Sequence, residues 1–418
     1  MDRPVFSLPT LALIELALLA SIAPLQANEF ELTGEAGVEQ RYFFEDALLT
    51  EQERAQASIY IQPEFFYSWN EGDDRLVIKP FARIDQIDDE RSHFDVREFH
   101  WLHLGETYEV VTGVSKVFWG QTESLHLVDI INQTDSVEAV DGEDKLGQPM
   151  LNFSYFSDYG RFSVFALPYF RERTFAGIDG RVTPPFLIDT DNPIYASDDE
   201  QNHFDYAFRW QHTIGSWDVG VSYFDGTNRD PLFVQGLDVV TQQPVLRPYY
   251  SQIQQVGVDL LSIYEDWIFK FEGIYRKDDM LNVPLGLQTE VEDSFYAAVA
   301  GFEYTKVGIF ESQYDLGWLV EYQYDERKDT PFVFGQNDLM VGFRLIVNDV
   351  DGTEMLFGIV QDLDRSGSYS GFIEASSRIT DQWKWKIDGY FFGSDEIFDP
   401  LYFLRREDHI LFSLEYYF

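Results

Sequence analysis

The sequence predicts an all-β protein, a transmembrane antiparallel up-and-down β-barrel of about 16–18 strands. Three observations predict it. From Phe30 onward, segments of about ten residues alternate apolar or aromatic side chains with polar ones. Short connections between them alternate with long polar ones, and the final segment alternates in the same way and stops on an aromatic residue. Composition agrees. With 73 Asp+Glu against 30 Lys+Arg the formal charge is −43, which repels phosphate backbones, so no nucleic-acid partner is expected. The absence of cysteine excludes disulfide scaffolds and thiol chemistry. Disorder is excluded by 45% hydrophobic and 17% aromatic residues.

The first element is a leader. Leu11 to Ala23 is an apolar run preceded by Arg3 and followed by Pro24-Leu25-Gln26-Ala27, which reads as a signal peptide over 1–27 with the barrel over 28–418. The alternative is an N-terminal membrane anchor, for which the run is short. No later segment has 18 uninterrupted apolar residues, so helical membrane spans are not expected.

Strands follow near 30–44, 55–69, 74–86, 94–104, 108–119, 150–157, 160–173, 203–213, 216–225, 250–263, 266–277, 295–304, 315–325, 338–347, 354–362, 369–379, 383–392 and 409–418. In 205–211 the even positions Tyr206, Phe208 and Trp210 are rings, while Asp205, Ala207, Arg209 and Gln211 take the other face. The same split recurs in 267–272, 339–345 and 383–388, where the polar face is charged. A soluble sandwich also alternates, so connector lengths decide. Tight turns at 70–73, 105–107, 157–160, 214–216 and 265–266 face long loops at 120–149, 174–202, 226–249, 278–294 and 393–408. A transmembrane barrel has short periplasmic turns and long outer loops. Only the 305–314 connection is longer than its siblings.

The last strand places Ile410, Phe412, Leu414, Tyr416 and Phe418 on one face. Ending on Tyr416 and Phe418, it resembles the terminal recognition signal of bacterial outer-membrane proteins, which implies handling by the barrel assembly machinery. The segments Phe94-Asp95-Val96-Arg97-Glu98, Lys116-Val117-Phe118-Trp119-Gly120-Gln121-Thr122-Glu123 and Val128-Asp129-Ile130-Ile131-Asn132-Gln133-Thr134-Asp135 resemble a poorly characterised family of proteobacterial outer-membrane porin-like proteins. That resemblance implies a barrel in the outer membrane of a Gram-negative bacterium. It carries over no catalytic residues.

A barrel this wide cannot be filled by its own wall side chains, so its polar face should line water. Parity assigns Lys79, Arg83, Asp85, Asp205, Arg209, Asp218, Lys270, Glu272, Arg276, Glu321, Arg344, Glu354, Glu374, Arg378, Lys384, Lys386 and Asp388 to that lining. Both signs are present, so the charges either set a field across a pore or neutralise one another in pairs. The 120–149 loop is the candidate constriction. Its apolar residues Leu125, Leu127, Val128, Ile130 and Ile131 are buried either by folding inward or by packing outward on neighbouring loops; if inward, Asp129, Asp135, Glu138, Asp141, Glu143 and Asp144 face the aperture and favour cations or neutral solutes.

No metal, cofactor or catalytic residue is expected. The acidic runs at 71–74, 88–90 and 198–200 lack EF-hand spacing and read as solvated loop charge. His100 and His103 are three apart and fall on opposite strand faces, and no G-x-S-x-G, H-E-x-x-H or Walker pattern occurs. The expected function is passive diffusion of small hydrophilic solutes. The alternatives are a lipase-like enzyme on a barrel scaffold and a plugged structural or adhesion barrel. Outer-membrane lipid and lipopolysaccharide are the expected surroundings, and monomer and homo-oligomer both remain open.

Overall fold

The structure, a computed structural model, describes residues 28–48, 52–183, 186–238, 242–278, 293–327 and 333–418. The signal peptide read over 1–27 lies outside the described residues.

Alternating side chains and turn residues build a strand sequence that begins with β1 (Glu29–Phe43), β2 (Ala55–Trp69), β3 (Asp74–Asp85), β4 (Phe94–Leu104), β5 (Tyr108–Ser115), β6 (Gln148–Ser157) and β7 (Gly160–Leu167). Two short strands follow, β8 (Leu187–Ile188) and β9 (Ile194–Tyr195), before β10 (Asp205–Ile214) and β11 (Trp217–Thr227). Then come β12 (Leu232–Leu237), β13 (Pro244–Tyr250), β14 (Gln252–Tyr264), β15 (Trp267–Asp278), β16 (Asp293–Lys306), β17 (Asp315–Asp325) and β18 (Asn337–Ile346). The chain ends with β19 (Glu354–Asp362), β20 (Tyr369–Arg378), β21 (Trp383–Gly393) and β22 (His409–Tyr417).

Eighteen of these strands form one antiparallel sheet in which each pairs with the next in the chain, and β22 returns to β1 with Glu35 opposite Tyr417 and Phe43 opposite His409. Closure leaves no free sheet edge. The remaining four, β8, β9, β12 and β13, make a small separate sheet in the outer loops. Alternation had not revealed it, since its members are as short as two residues.

Two expected strands end early. The 108–119 segment stops at Ser115 because the Val117 and Trp119 amides donate to Asn132 Oδ1 (2.8 Å) and Asp129 Oδ1 (3.2 Å), acceptors within the following loop. The 160–173 segment stops at Leu167, where Pro168 has no amide to give a ladder. At the 305–314 connection the chain makes a 3₁₀ turn over Ile309–Glu311, entered through Gly308 at φ +65.

The two faces of the wall divide as the period of two dictates. On β10, Tyr206 and Phe208 are exposed while Asp205, Ala207 and Arg209 are buried. On β22, Ile410 and Phe412 are exposed while His409, Ser413 and Glu415 are buried. Exposed rings on the outward face of a closed barrel have no protein to pack against and suit a hydrocarbon surround.

A segment after β7 runs across the outer end. Gly177 donates its amide to Asp88 Oδ1 (3.1 Å), and Gln52 donates to the Gly180 and Ile178 carbonyls. Arg181 Nε meets Glu407 Oε2 at 2.8 Å with both side chains almost fully buried, and its guanidinium lies over Phe43. This strap thus ties the exit of β7 to the β3–β4, β1–β2 and β21–β22 connections. A Cβ on Gly180 would sit 2.2 Å from Asp88 Oδ2, which explains the glycine. Asp88, read from sequence as solvated loop charge, is instead buried and acts as the anchor.

Candidate functional site

The site grows from the loop between β5 and β6. Its apolar residues Trp119, Val128, Ile130 and Ile131 are buried, and they pack in one cluster with Met150, Phe165, Leu167, Ala207, Phe224, Ile253, Ile274, Phe295 and Ala297. Those partners come from β6, β7, β10, β11, β14, β15 and β16, so the loop lies against the inner face of about half the wall. Fully burying an aliphatic side chain contributes roughly 1.5–3 kcal/mol, and Val128, Ile130 and Ile131 are each at least 98% buried. Gly257 makes room for this contact, since a Cβ there would meet Val128 Cγ1 at 3.0 Å and Ser222 Oγ at 2.6 Å.

Polar contacts carry the loop across to other strands. Glu272 Oε1 accepts from the amides of Gln121 (2.6 Å) and Thr122 (3.0 Å), and its Oε2 accepts from Val128 (3.2 Å). Glu321 accepts from the amides of Glu123 (2.8 Å) and Ser124 (2.9 Å). Glu123 in turn meets Arg344 at 2.9 Å and Lys270 at 3.4 Å. On the other side Arg83 bridges Glu39 and Glu138, both at 2.6 Å, and Arg41 donates to the Glu138 carbonyl. Arg91 donates to the Val137 carbonyl (2.9 Å) and pairs with Asp85 (2.9 Å) and Glu39 (2.8 Å). Tyr390 donates to Asp141 Oδ2 at 2.6 Å. One connection therefore touches β1, β3, β15, β17, β18 and β21, which only a segment inside the barrel can do.

The parity-assigned charges fall into two groups. Arg83, Asp85, Asp205, Arg209, Glu272, Arg276 and Glu321 are buried. Asp205 holds Arg229 (2.7 Å), Arg209 holds Asp259 (2.9 Å), and Arg276 donates to Gln255 (2.8 Å). The other group keeps solvent contact. Lys79 pairs with Glu64 (3.3 Å), Arg344 with Glu123, and Lys386 with Glu415 (2.7 Å), the lysine side chain being 36% exposed. Glu374, Lys384 and Asp388 are half-buried, Asp388 standing beside Lys386, while Arg378 is exposed over the Tyr417 ring near the 379–382 turn. Asp218, on the same face, is exposed near the turn and accepts from Thr213 (2.6 Å). Glu354 is likewise exposed.

The loop carboxylates also divide, and three do not face solvent as expected. Asp129 is held by Lys145 (3.3 Å) and the Trp119 amide, Asp135 by Arg97 (2.5 Å) and Thr174 Oγ1 (2.6 Å), and Glu138 by Arg83. Asp141 and Glu143 are exposed and Asp144 half-buried. Glu143 accepts from His126 at 2.7 Å. Burial opposes the His126 charge, but the bonds to Glu143 and to nearby Glu272 outweigh it and lift that pKa to about 10. Burial of the carboxyl, reinforced by the nearby Glu138 and Asp141 charges, pushes Asp144 up to about 6. Asp141, Glu374 and Asp388 act on one another electrostatically, so carboxylates from the loop and from the β20–β21 wall converge.

Several participants escaped the sequence reading. Glu39, Arg41 and Glu415 lie on the inner face by the same parity and needed only its extension to the first and last strands. Arg91, Arg97 and Tyr390 gave no signal, because their partners in the β5–β6 loop stand 38 or more residues away. At the terminus, Phe418 exchanges backbone hydrogen bonds with Gly34 (3.1 and 3.0 Å), and Tyr416 packs its ring on Trp383 at 5.0 Å.

No family profile matches the chain, and comparison with curated proteins gives no sequence match. Solved structures do resemble it. A BenF-like porin from Pseudomonas fluorescens aligns over 94% of this chain and 98% of its own, with 8% identity and a TM-score of 0.52. OmpT, an outer membrane protein of Vibrio cholerae, aligns over 94% of this chain and 100% of its own, with 10% identity and a TM-score of 0.46. The outer membrane channel DcaP of Acinetobacter baumannii aligns over 94% and 97%, with 9% identity and a TM-score of 0.42. The fold is the closed barrel of porin-like outer-membrane proteins.

Proposed function

We propose that the protein is a passive channel for small hydrophilic solutes in the outer membrane of a Gram-negative bacterium, favouring cations and neutral solutes over anions. In this reading 1–27 is a signal peptide, 28–418 is the pore, and the parity-assigned charges with the β5–β6 loop set its selectivity. The observation that carries it is the division of carboxylates: Asp141, Asp144, Glu374 and Asp388 keep solvent contact, whereas Arg83, Arg91, Arg209 and Arg229 are consumed in buried pairs. Unneutralised acids at a narrowing attract cations and repel anions. The likeness to porins in fold supports the class. Transport here is diffusion through a charged aperture and needs no covalent step.

Planar-bilayer recording on the refolded protein tests the reading. Discrete conductance steps with a reversal potential shifted toward the cation potential are expected. A silent bilayer would instead favour a plugged barrel, the second reading, which the strap across the outer end supports.

A further inference from the structure

The geometry points to a binding site for a divalent transition-metal ion of the zinc type, made by His93, Asp135 and Glu138. The three come from two separate connections, His93 from the segment before β4 and the acids from the β5–β6 loop. Their donor atoms lie within 4.8 Å of one another.

Hydrogen bonding decides what His93 presents there. Its Nδ1 stands 3.1 Å from the Arg91 carbonyl, which can only accept, so Nδ1 carries the proton. The neutral ring then aims the lone pair of Nε2 at Glu138 Oε1 (3.5 Å) and Asp135 Oδ2 (3.8 Å). Nε2 is buried and has no hydrogen-bond partner, and Asp135 Oδ2 has none either beyond its ion contact with Arg97. A lone pair facing two carboxylates is repulsive unless a proton or a metal ion lies between them. Ligands about 2.0–2.2 Å from one zinc ion stand about 3.4 Å apart in a tetrahedron, close to the 3.5 and 3.8 Å from His93 Nε2 to the two carboxylates. One nitrogen and two oxygens suit a zinc-type ion better than calcium or magnesium, which take oxygen alone.

The surroundings supply outer support. The Arg91 carbonyl fixes the imidazole tautomer, Thr174 Oγ1 holds Asp135 Oδ1 (2.6 Å), and Arg83 holds Glu138. Bound there, the ion would staple the β5–β6 loop to the β3–β4 wall, whether or not the barrel conducts.

Calorimetric titration of the chelator-stripped, folded barrel in detergent at pH 7.5 with zinc alone tests this. One ion per chain is expected, with His93→Asn and Asp135→Asn each weakening binding by about 100-fold and His100→Asn leaving it unchanged. X-ray absorption of the wild-type complex should show a single imidazole among N/O ligands at about 2.0–2.2 Å, a readout that does not depend on any variant folding. No stoichiometric uptake, uptake that survives both substitutions or falls with His100→Asn, or more than one imidazole in the shell would overturn the site. Stabilisation by acid in place of zinc would show that a proton fills the gap, and would overturn it too.

Discussion

At the scale of single residues, the interior is organised by arginines shared between acids. Arg83 is nearly enclosed and carries both Glu39 and Glu138, so Arg83→Ala leaves the buried Glu138 carboxylate without its guanidinium and Glu39 with Arg91 alone. Breaking a buried pair from one side costs about 3–5 kcal/mol, and urea unfolding of the folded barrel should show a loss of that order. Titration gives two further expectations of opposite sign. His126 has a pKa raised to about 10, so its stabilisation is complete below the ordinary value of about 6.5 and is lost as pH rises through about 10. His126→Ala should therefore flatten the alkaline arm of a stability–pH profile. Asp144, lifted to about 6 from 3.8, binds its proton more tightly in the folded state, so its strain is relieved as pH falls through 6 and no further gain accrues below 3.8. The same protonation removes a charge from the aperture, and the cation-to-anion permeability ratio should fall between pH 7 and pH 5, an effect smaller in Asp144→Asn.

At the scale of elements, the wall was legible and its filling was not. Alternation placed all eighteen barrel strands, several such as Ala55–Trp69 and Phe94–Leu104 at their observed bounds, because each obeys a local period of two. It failed where side chains compete with the ladder, as Asn132 and Asp129 do after Ser115, and where pairing is long-range and brief, as in β8 and β9. The inward course of the β5–β6 loop could be anticipated from Val128, Ile130 and Ile131, which have no use for water. Which of its acids would meet arginines could not, since Arg83 and Arg97 reach them across the fold. Deleting 123–147 should raise single-channel conductance and relax cation preference; unchanged values in both would remove the loop from the selectivity mechanism. Glu407→Gln should weaken the hold on Arg181 and slacken the strap, and it is expected to raise conductance without altering selectivity.

At the scale of the whole molecule, a formal charge of −43 draws cations toward either mouth. Screening shortens that reach from about 10 Å at 0.1 M salt to about 3 Å at 1 M. The measured cation preference should therefore decline across this range while conductance steps persist. Removing Phe418 takes away both backbone bonds to Gly34, and the yield of heat-modifiable, folded barrel should drop. The seam and the inner loop together constrain the route to the native state. The loop touches strands that emerge first, β1 and β3, and others that emerge late, β18 and β21. A nascent sheet that has not yet curled cannot satisfy both sets, so an incompletely sealed cylinder would also be an ungated hole. Stitching the last strand to the first and seating the inner loop are thus one coupled event, since the loop reaches β1 and β21 together only in the closed cylinder.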